Sequence, residues 1–539
     1  MSTIKNKKRY EKKKPLDHIL LRPDMYVGST RQRSIDEYVA EKNKDGTYKI
    51  VWKTIKSSPA ILRIFIEALS NAIDNVERSR KTKYPCTKIK VTIDEKTGET
   101  SVWNDGDVVP IEMHEDEGCY NHSMIFGQLL TGSSYDDEEE RKIAGRNGLG
   151  IKLNNIFSTH FTVTGCDPEN KKTFQQTWSN NMRETTAPNI KSSRLMRGYT
   201  HITWTPDFKR FGLTKYTKDI VQLYTRHVLD AAMLSKVSMY LNGELIPINN
   251  LSQYSLLYDS PTTEKLLIKS KQAEVLITPS SEWQVVSFVN GVYTRLGGQH
   301  VDPWVEAVLR PIVDKFNGKG KKSKGPKINI ADVRQFFRIF VVASVVRPEF
   351  DGQDKNKLES PTVTAEVKRT HITAICKWSV MERIEDIIRA KEMFVLKKAE
   401  RKKKNVRIDG LDPANNAGGK HSADCSLFIC EGLSAKTYVV AGIETGVYGK
   451  TGRDWFGVLP VTGKVLNVRN ATPTSIAANK VIVSMIQTLG LSHGLDYTLQ
   501  KNFKTLRYGR VIVVADADVD GIHIEGLIMN LIHSLFPTL

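Results

Sequence analysis

The sequence predicts a multidomain protein that combines α/β and α+β folds. Its 539 residues are more than one hydrophobic core holds, so we expect about three domains. In the last part of the chain, strand-like runs such as SLFICEG and RVIVVAD alternate with helical or loop segments, which is typical of a parallel α/β sheet. We therefore predict domains at residues 1–245, 246–408 and 409–539, with the loop DGLDPANNAGGKHSADC at the second boundary.

Basic residues dominate the charge of the chain, which has a formal net charge of +19 and a pI near 9.4. That balance favours a polyanionic partner, most simply nucleic acid, although a basic surface that only keeps a protein soluble has the same composition. The densest basic runs are residues 315–327, where glycines predict a loop, and residues 396–407, which continue a helical pattern.

The sequence carries no signal for a membrane or for secretion. No apolar run is long enough to span a bilayer, and no apolar segment follows the basic start MSTIKNKKRYEKKK. The six cysteines are scattered and form no CxxC, which argues against structural zinc and for reduced thiols. We therefore predict an intracellular protein without a membrane partner.

The segment SSPAILRIFIEALSNAIDN predicts a helix that Ser58 caps and Pro59 begins. Five of its apolar residues form a core-facing stripe: Leu62, Phe65, Leu69, Ile73 and Val76. Four of its polar residues share another face: Glu67, Asn71, Asp74 and Asn75. An acid and an amide one turn apart could orient a water and ligate magnesium, whereas a solvated polar face would show the same spacing.

Two polar loops follow this helix along the chain. SVWNDGD ends a strand at Asn104, Asp105 and Gly106. AGRNGLGIKLNNIF then places three glycines before a predicted helix start, where converging backbone amides form a natural phosphate cradle. The loop matches neither the Walker pattern nor the dinucleotide fingerprint, so its glycines alone do not identify a ligand.

Near the end of the chain, VIVVADADVDGIHIEG places Asp516, Asp518 and Asp520 at alternate positions after an apolar strand. Unpaired carboxylates repel one another, so such a cluster usually holds a cation. A calcium loop is excluded because its twelfth position is Leu527, which cannot ligate. A solvated turn remains the alternative to a metal site.

Three motifs in this order resemble the ATP-binding fold shared by type II topoisomerases, the heat-shock chaperone and mismatch-repair proteins. They are E-x-x-x-N-x-x-D-N, the strand-end N-D-G, and G-R-N-G-x-G-x-K. HILLRPDMYVGS, FGQLLTGSSYDD and GRNGLGIKLNNIFS are similar to eukaryotic DNA topoisomerase II in particular, and the resemblance covers nearly the whole chain. It implies a Bergerat-type ATPase sandwich with an N-terminal arm, a transducer domain with a long basic helix, and a parallel α/β topoisomerase–primase domain.

The resemblance implies ATP and Mg²⁺ as cofactors. Glu67 would be the general base, Asn71 would hold magnesium and Asn104 would read adenine. Ser133 and Ser134 would contact the ribose, while Tyr10 lies in the arm that crosses to a partner subunit. The remaining implied ATP contacts are Asn75, Gly132, Gly145, Arg146, Asn147, Gly148, Leu149, Gly150, Ile151, Lys152, Gln353, Asp354 and Lys355.

FICEGLSAKTYVVAG is similar to the family's E-G-D-S-A motif, and DADVDGIHIEG to its D-x-D-x-D-G-x-H-I motif. Glu431, Asp516 and Asp518 would therefore bind the catalytic magnesium, with Asp520 near a second ion. Lys464 and Asn467 match positions that contact cleaved DNA. We also expect Lys319, Lys321 and Lys322 of the basic loop to touch duplex DNA without reading its bases.

Four positions depart from the family pattern: Val108, Asp354, Leu433 and Thr462. Val108 would bring a Cβ atom near the nucleotide, and Asp354 would add a negative charge near the phosphates. Thr462 replaces an arginine and loses a phosphate contact, whereas Leu433 changes the neighbour of Glu431. These departures indicate a divergent member of the family, of cellular or viral origin.

We therefore expect an ATP-dependent type II DNA topoisomerase that acts as a homodimer on double-stranded DNA. In a cellular eukaryote it would be nuclear, and a viral enzyme would be in the infected cell or the virion. The chain stops at HSLFPTL, within an apolar helical pattern and before the tyrosine-bearing winged-helix domain that the resemblance implies. Tyr508 does not match that nucleophile, so we expect this chain by itself to be an ATPase only.

Two alternatives belong to other classes of function. The first is an ATP-operated dimeric clamp without DNA cleavage, as in a chaperone or a mismatch-repair protein. Those families lack the pairing of Glu431 with the alternating aspartates, which separates them from a topoisomerase. The second is an inactive homologue. The only support for it is the set of departures at Val108, Leu433 and Thr462.

Overall fold

The computed structural model describes residues 12–129, 131, 148–258, 264–318, 327–352, 355–402, 408–447, 449–461 and 465–539. The chain divides into two compact units, Met1–Val308 with Arg334–Ile375, and Leu309–Val333 with Cys376–Leu539. Residues 246–308 therefore share a unit with the N-terminal region. The three domain boundaries stay predictions.

Up to residue 375 the strands are β1 (Arg33–Lys42), β2 (Tyr48–Ser57), β3 (Lys88–Ile93), β4 (Thr100–Asp105), β5 (Ser158–Asp167), β6 (Lys172–Ser179), β7 (Glu184–Thr185), β8 (Asn189–Ser192), β9 (Tyr199–Pro206), β10 (Ser238–Leu241), β11 (Glu244–Leu245), β12 (Leu266–Lys269), β13 (Ala273–Pro279), β14 (Gln284–Val289), β15 (Val292–Tyr293), β16 (Gly297–Gly298), β17 (Phe337–Ala343), β18 (Glu349–Phe350) and β19 (Lys357–Ser360). The helices are α1 (Pro15–Leu21), α2 (Pro59–Ser79), α3 (Asn121–Gly127), α4 (Gly150–Ile156), α5 (Lys218–Ser235), α6 (Leu251–Ser255), α7 (Asp302–Asn317), α8 (Ile330–Arg334) and α9 (Arg369–Ile375).

The largest sheet runs in the order β11-β10-β3-β4-β9-β5-β6-β7, with β8 also paired to β6. A second sheet runs β12-β13-β17-β14-β15, and smaller sheets pair β1 with β2 and join β16, β19 and β18. Helices α2, α4 and α5 pack together, and α2 and α4 also contact strands of the largest sheet. This is a mixed α/β architecture, as the sequence predicts.

Helix α2 forms as its sequence predicts. Ser58 caps it by accepting a hydrogen bond from the Ile61 amide, and proline occupies its first turn. Its apolar face is buried, and the ring of Phe65 stacks on Tyr224 of α5 with centroids 4.0 Å apart. The Tyr224 hydroxyl also donates a 2.6 Å hydrogen bond to the Ile61 carbonyl. One face of α2 is thus fixed in the core, and its polar residues lie on another face.

After residue 375 the strands are β20 (Ser426–Glu431), β21 (Phe456–Val461) and β22 (Arg510–Val514). The helices are α10 (Val380–Lys402), α11 (Gly432–Thr445), α12 (Pro473–Ala478), α13 (Lys480–Leu489), α14 (Gln500–Phe503) and α15 (Val519–Leu535). The three strands form a parallel sheet in the order β21-β20-β22.

Helix α15 ends at Leu535, before the end of the chain. The apolar helical pattern that reaches HSLFPTL stops there, because Pro537 lacks an amide proton and disfavours helical backbone in the preceding residue. Among the described residues, no helix combines the length and the apolar character needed to cross a membrane.

Candidate functional site

A cavity of about 1130 Å³ opens along the polar face of α2. The residues at every fourth position of this helix line it: Arg63, Glu67, Asn71 and Asn75. At a rise of about 1.5 Å per residue, this row extends over roughly 18 Å. The opposite wall includes the start of α4, the end of β4 and the segment around Lys355. The predicted polar face is therefore the wall of a large cavity.

The carboxylate of Glu67 is held on both sides. Its Oε1 atom lies 2.6 Å from Nη2 of Arg63, one helical turn earlier. Its Oε2 atom lies against Gly150, because a Cβ atom added there would be 1.9 Å from it. Only a glycine at the start of α4 leaves room for this carboxylate.

Hydrogen bonds order the far end of the cavity, where β4 ends. The Asn75 side chain donates to the carbonyl oxygen of Asp107 at 3.1 Å and accepts from Arg78 at 2.7 Å. Asn104 is 7 % exposed, lines the cavity and donates to the Asp105 carbonyl at 3.1 Å. Asn104 therefore presents a buried amide at the place predicted for adenine.

Asp105 supports this end of the cavity from behind. Its carboxylate accepts hydrogen bonds from the backbone amides of Thr87 and Lys88 at 2.7 and 2.8 Å, and it pairs with Arg197 at 2.7 Å. Burial alone would raise the pKa of Asp105, but these hydrogen bonds and the guanidinium outweigh it and hold the pKa below its usual value. Asp105 thus fixes the end of β4 beside Asn104.

Val108, which we expect to bring a Cβ atom near the nucleotide, is not among the described residues that line the cavity. The residue that lines the cavity here is Val109. Val108 packs the other way, with Cγ1 only 3.0 Å from the position of a Cβ atom on Gly198. Neighbouring residues in extended backbone point in opposite directions, so the sequence motif alone could not say which valine faces the cavity.

Lys152 is the buried cation of the cavity. Its side chain is 1 % exposed, and its Nζ atom donates to the carbonyl oxygens of Thr131 and Gly148, both at 2.5 Å. Burial lowers the pKa of this ammonium group to about 8. No carboxylate neutralises it in these contacts, so its charge is available to an anion.

Part of the predicted ATP site lies outside the described residues: Tyr10, Gly132, Ser133, Ser134, Gly145, Arg146, Asn147, Gln353 and Asp354. The other predicted contacts all line the one cavity: Glu67, Asn71, Asn75, Asn104, Gly148, Leu149, Gly150, Ile151, Lys152 and Lys355. The structure therefore brings together residues that are up to 288 positions apart in sequence, from Glu67 to Lys355.

The predicted metal residues follow neighbouring strands of the parallel sheet. Cys430 pairs with Val514 in register. Glu431, the last residue of β20, and Asp516, two residues beyond the end of β22, are therefore at the same edge of the sheet. Oε2 of Glu431 is buried and has no hydrogen-bond partner in the described part of the chain. Asp518 caps α15 by accepting a 2.7 Å hydrogen bond from the Gly521 amide. A carboxylate oxygen without a hydrogen-bond partner, at the same sheet edge as exposed aspartates, has the ligand chemistry that magnesium prefers.

These carboxylates do not form a preassembled cage. Among the described residues, no group of three or more His, Cys, Asp or Glu side chains is close enough to hold a metal ion. Magnesium usually keeps several waters and few carboxylates, so an open donor set suits it better than it suits calcium. The assignment of Glu431, Asp516, Asp518 and Asp520 to a metal stays a prediction.

Four of the five predicted DNA contacts lie outside the described residues: Lys319, Lys321, Lys322 and Lys464. Thr462, a departure from the family pattern, also lies outside them. Asn467 is described, and its Oδ1 atom accepts from the Arg469 amide at 3.1 Å and from Asn530 at 3.0 Å. Leu433 is 65 % exposed, where the family motif has an aspartate. Tyr508 is buried and its hydroxyl accepts a hydrogen bond from the Ala414 amide, which is a structural role.

The sequence analysis missed Arg63 and Val109 as cavity residues. Arg63 had a detectable signal, because it lies four positions before Glu67 and therefore on the same helical face. Val109 had none, because the direction of its side chain depends on how the chain turns after Gly106.

Known proteins with similar sequences and folds indicate the family of this chain. A family model described as DNA gyrase B matches residues 235–407. DNA topoisomerase 2 of Invertebrate iridescent virus 6 is 40% identical over 568 residues, which cover 100% of this chain and 50% of that protein. Human DNA topoisomerase 2-alpha is 38% identical over 547 residues, which cover 98% of this chain and 35% of that protein.

Two solved structures share the fold. The ATPase region of Saccharomyces cerevisiae topoisomerase II superimposes with a TM-score of 0.63 at 32% identity, covering 70% of this chain and 98% of that one. The ATPase and transducer domains of DNA topoisomerase II from Balamuthia mandrillaris give a TM-score of 0.64 at 31% identity, covering 72% of this chain and 100% of that one.

The fold is thus the mixed α/β architecture of topoisomerase ATPase and transducer regions. The chain belongs to the type II DNA topoisomerase family. It spans 50% or less of the length of the viral and human relatives described above.

Proposed function

We propose that this chain hydrolyses ATP in the cavity beside α2 and forms the ATP-operated gate of a type II DNA topoisomerase. The whole enzyme would pass one DNA duplex through a transient double-strand break in another. The observation that carries the proposal is the row of polar residues along α2, with Glu67 held against Gly150 near the buried cation Lys152.

Five residues of the cavity would have roles in this reaction. Asn104 would hydrogen-bond the adenine ring, and the Lys152 ammonium would bind phosphate oxygens. Glu67 would accept the proton of the attacking water, as a general base must lie within hydrogen-bond reach of that water. Asn71, exposed on the cavity wall, would ligate Mg²⁺, which supplies neutralisation of phosphate charge when bound. Lys355 would approach the γ-phosphate from the opposite wall.

The family also suggests a division of labour along the chain. Residues 1–245 would form the ATPase domain with its arm, residues 246–408 the transducer domain with its long basic helix, and residues 409–539 most of the topoisomerase–primase domain. Two such chains would form a homodimer in which Tyr10 of one reaches the nucleotide of the other. The protein would act inside the cell, in the nucleus of a eukaryote or in a virus-infected cell or virion.

The second proposed site is the carboxyl edge of the β20–β22 sheet. Glu431, Asp516 and Asp518 would hold a magnesium ion that steadies the scissile phosphate, and Asp520 would lie near a second ion. Supporting this, Glu431 has a buried oxygen without a hydrogen-bond partner in the described chain. Lys464 and Asn467 would contact the DNA beside this site, and the loop with Lys319, Lys321 and Lys322 would contact the captured duplex.

The ATP-operated clamp without DNA cleavage is the second candidate. It would use the same cavity, but it would give no role to Glu431 and the aspartates after β22. The viral and human topoisomerases match 100% and 98% of this chain, including the residues around Glu431 and after β22. The clamp is therefore not favoured. An inactive homologue would not explain why a buried oxygen of Glu431 has no hydrogen-bond partner in the described chain.

The proposal is tested by ATP hydrolysis of the purified chain and of its Glu67→Ala variant. Hydrolysis should fall by about 10²- to 10⁴-fold, because the variant lacks the base. Binding of a non-hydrolysable ATP analogue should persist, because Asn104 and Lys152 remain. Equal loss of binding and hydrolysis would exclude Glu67 as the base, and a wild-type chain without ATPase activity would refute the ATP gate.

A further inference from the structure

We infer that Arg63 is a positioning residue for Glu67, an inference that rests on the proposed ATP hydrolysis. Nη2 of Arg63 lies 2.6 Å from Oε1 of Glu67, and the two side chains are only 14% and 19% exposed. Both residues line the cavity, one helical turn apart. The guanidinium therefore reaches the carboxylate from within the site rather than from the outer surface.

The two oxygens of Glu67 are restrained by different elements. Arg63 holds Oε1 from the same helix, whereas Gly150 at the start of α4 limits Oε2. A carboxylate has about four lone-pair directions, and these contacts leave the others open to a water in the cavity. A base fixed in this way need not be reoriented when the water arrives, which is the advantage of a preorganised site.

The hydrogen bonding of Arg63 points to the same role. Its Nε atom is buried and has no hydrogen-bond partner in the described part of the chain. The guanidinium therefore bonds through Nη2, which lies on the Glu67 carboxylate. The pair with Glu67 is thus the polar contact that accounts for an arginine at this position.

A second ion pair, at the end of α2, is exposed to solvent and can be compared with the pair of Arg63 and Glu67. Nη2 of Arg80, the residue after the last turn of α2, lies 2.5 Å from Oε1 of Glu77, and the two side chains are 60% and 57% exposed. Water screens such a pair, and surface pairs of this kind contribute little. Because this pair has similar chemistry on the same helix but points to solvent, it supplies the matched control for Arg63.

The test measures steady-state ATP hydrolysis and analogue binding for Arg63→Met, Arg63→Lys and Arg80→Met in the full chain. For Arg63→Met, kcat should fall about 10- to 100-fold, because small misplacement of a catalytic group has this effect. KM and analogue affinity should stay within about twofold. Arg63→Lys keeps the charge but not the planar fork, so its kcat should lie between those of wild type and Arg63→Met. Arg80→Met should match wild type.

A double variant separates positioning from direct contact with ATP. If Arg63 acts only through Glu67, then Arg63→Met with Glu67→Ala should be no slower than Glu67→Ala alone. A multiplicative loss, or a raised KM with unchanged kcat in Arg63→Met, would mean that Arg63 binds the nucleotide itself and would overturn the inference.

The outcomes also separate this inference from the proposed function. A wild-type chain that hydrolyses no ATP refutes both. Loss of hydrolysis in Glu67→Ala together with wild-type kcat in Arg63→Met refutes only the role of Arg63. If Arg63→Met loses analogue binding through misfolding, Arg63→Lys decides: an unchanged kcat there overturns the inference, and a lower kcat at constant KM supports it.

Discussion

Glu431 ends β20 and Asp516 lies two residues beyond the parallel strand β22, at one edge of the same sheet, although 84 residues separate them in the chain. The register that pairs Cys430 with Val514 decides this proximity. Parallel α/β sheets place ligands at the carboxyl ends of their strands, so the two acids stand where such a fold builds a site. Their location links the acidic motif of the sequence to a testable chemical role.

In the full-length enzyme, Asp516→Asn with Asp518→Asn should abolish DNA cleavage and leave ATP hydrolysis unchanged. The change removes negative charge that would bind magnesium but keeps the side-chain shape, including a cap for α15. Trapping covalent adducts on supercoiled plasmid with detergent measures cleavage. Asp496→Asn is the matched control, since Asp496 is an exposed aspartate whose side chain accepts hydrogen bonds from the amide and hydroxyl of Thr498. Normal cleavage by the double variant would remove the metal role from these residues.

Gly150→Ala should reduce ATP hydrolysis strongly while the chain stays folded. The added Cβ atom would lie 1.9 Å from Oε2 of Glu67, so the carboxylate must move away. A displacement of about 1 Å can cost about 10²-fold in rate. The backbone at Gly150 is helical and accepts alanine, so the effect is steric.

The measurement for Gly150→Ala is kcat alongside thermal unfolding. Gly442→Ala, in the middle of α11, is the control because its added Cβ atom meets open space. If Gly150→Ala hydrolysed ATP at the wild-type rate, the clamped position of Glu67 would have no catalytic meaning.

ATP affinity should fall as the pH rises through about 8. Burial lowers the pKa of Lys152 to about 8, so this ammonium is charged below that pH and loses its proton above it. A charged lysine attracts phosphate, whereas a neutral one does not. Bound phosphate raises the pKa of the lysine, so the midpoint of the pH dependence moves upward. The direction stays the same, and affinity still falls as the pH rises.

Analogue binding measured from pH 7 to pH 9 tests this dependence on Lys152. Lys152→Met should bind more weakly at every pH and should show a flatter profile. A wild-type profile that stays level across this range, or an unchanged slope in the variant, would contradict the assignment of Lys152 as the titrating phosphate contact.

Replacing Lys319, Lys321 and Lys322 by alanine should weaken DNA binding equally for all sequences. Each phosphate contact contributes about −0.9 to the slope of log affinity against log salt, so losing three contacts should flatten that slope by up to about 3. Binding titrations at several salt concentrations give the slope. A chain with the exposed residues Lys44, Lys49 and Lys96 replaced by alanine controls for net charge. Equal effects in both would mean that residues 315–327 have no special contact with DNA.

Much of the nucleotide cavity could be predicted from local sequence. The Ser58 cap, the Pro59 start and the spacing of Glu67, Asn71 and Asn75 are properties of a single helix, and the structure confirms that helix and its faces. The glycines before α4 likewise mark a helix start that the structure has at Gly150. Such features depend on neighbours within a few residues, which is why periodicity and capping detect them.

Other features depend on contacts between distant segments, which no local pattern encodes. The choice of Val109 over Val108 as cavity wall follows from the packing of Val108 against Gly198. The two-sided restraint of Glu67 requires α4 to pack on α2. The predicted metal edge requires β20 to lie beside β22.

The sequence by itself determined the order of the motifs, the helix that carries the proposed base, and the acidic run that follows an apolar strand. Only the tertiary structure decided which of these residues meet, because close packing and strand register join positions far apart in the chain. Arg63 illustrates the difference. Its spacing from Glu67 was visible in the sequence, but its reduced exposure and its place in the cavity came from the folding of α2 against the rest of the domain.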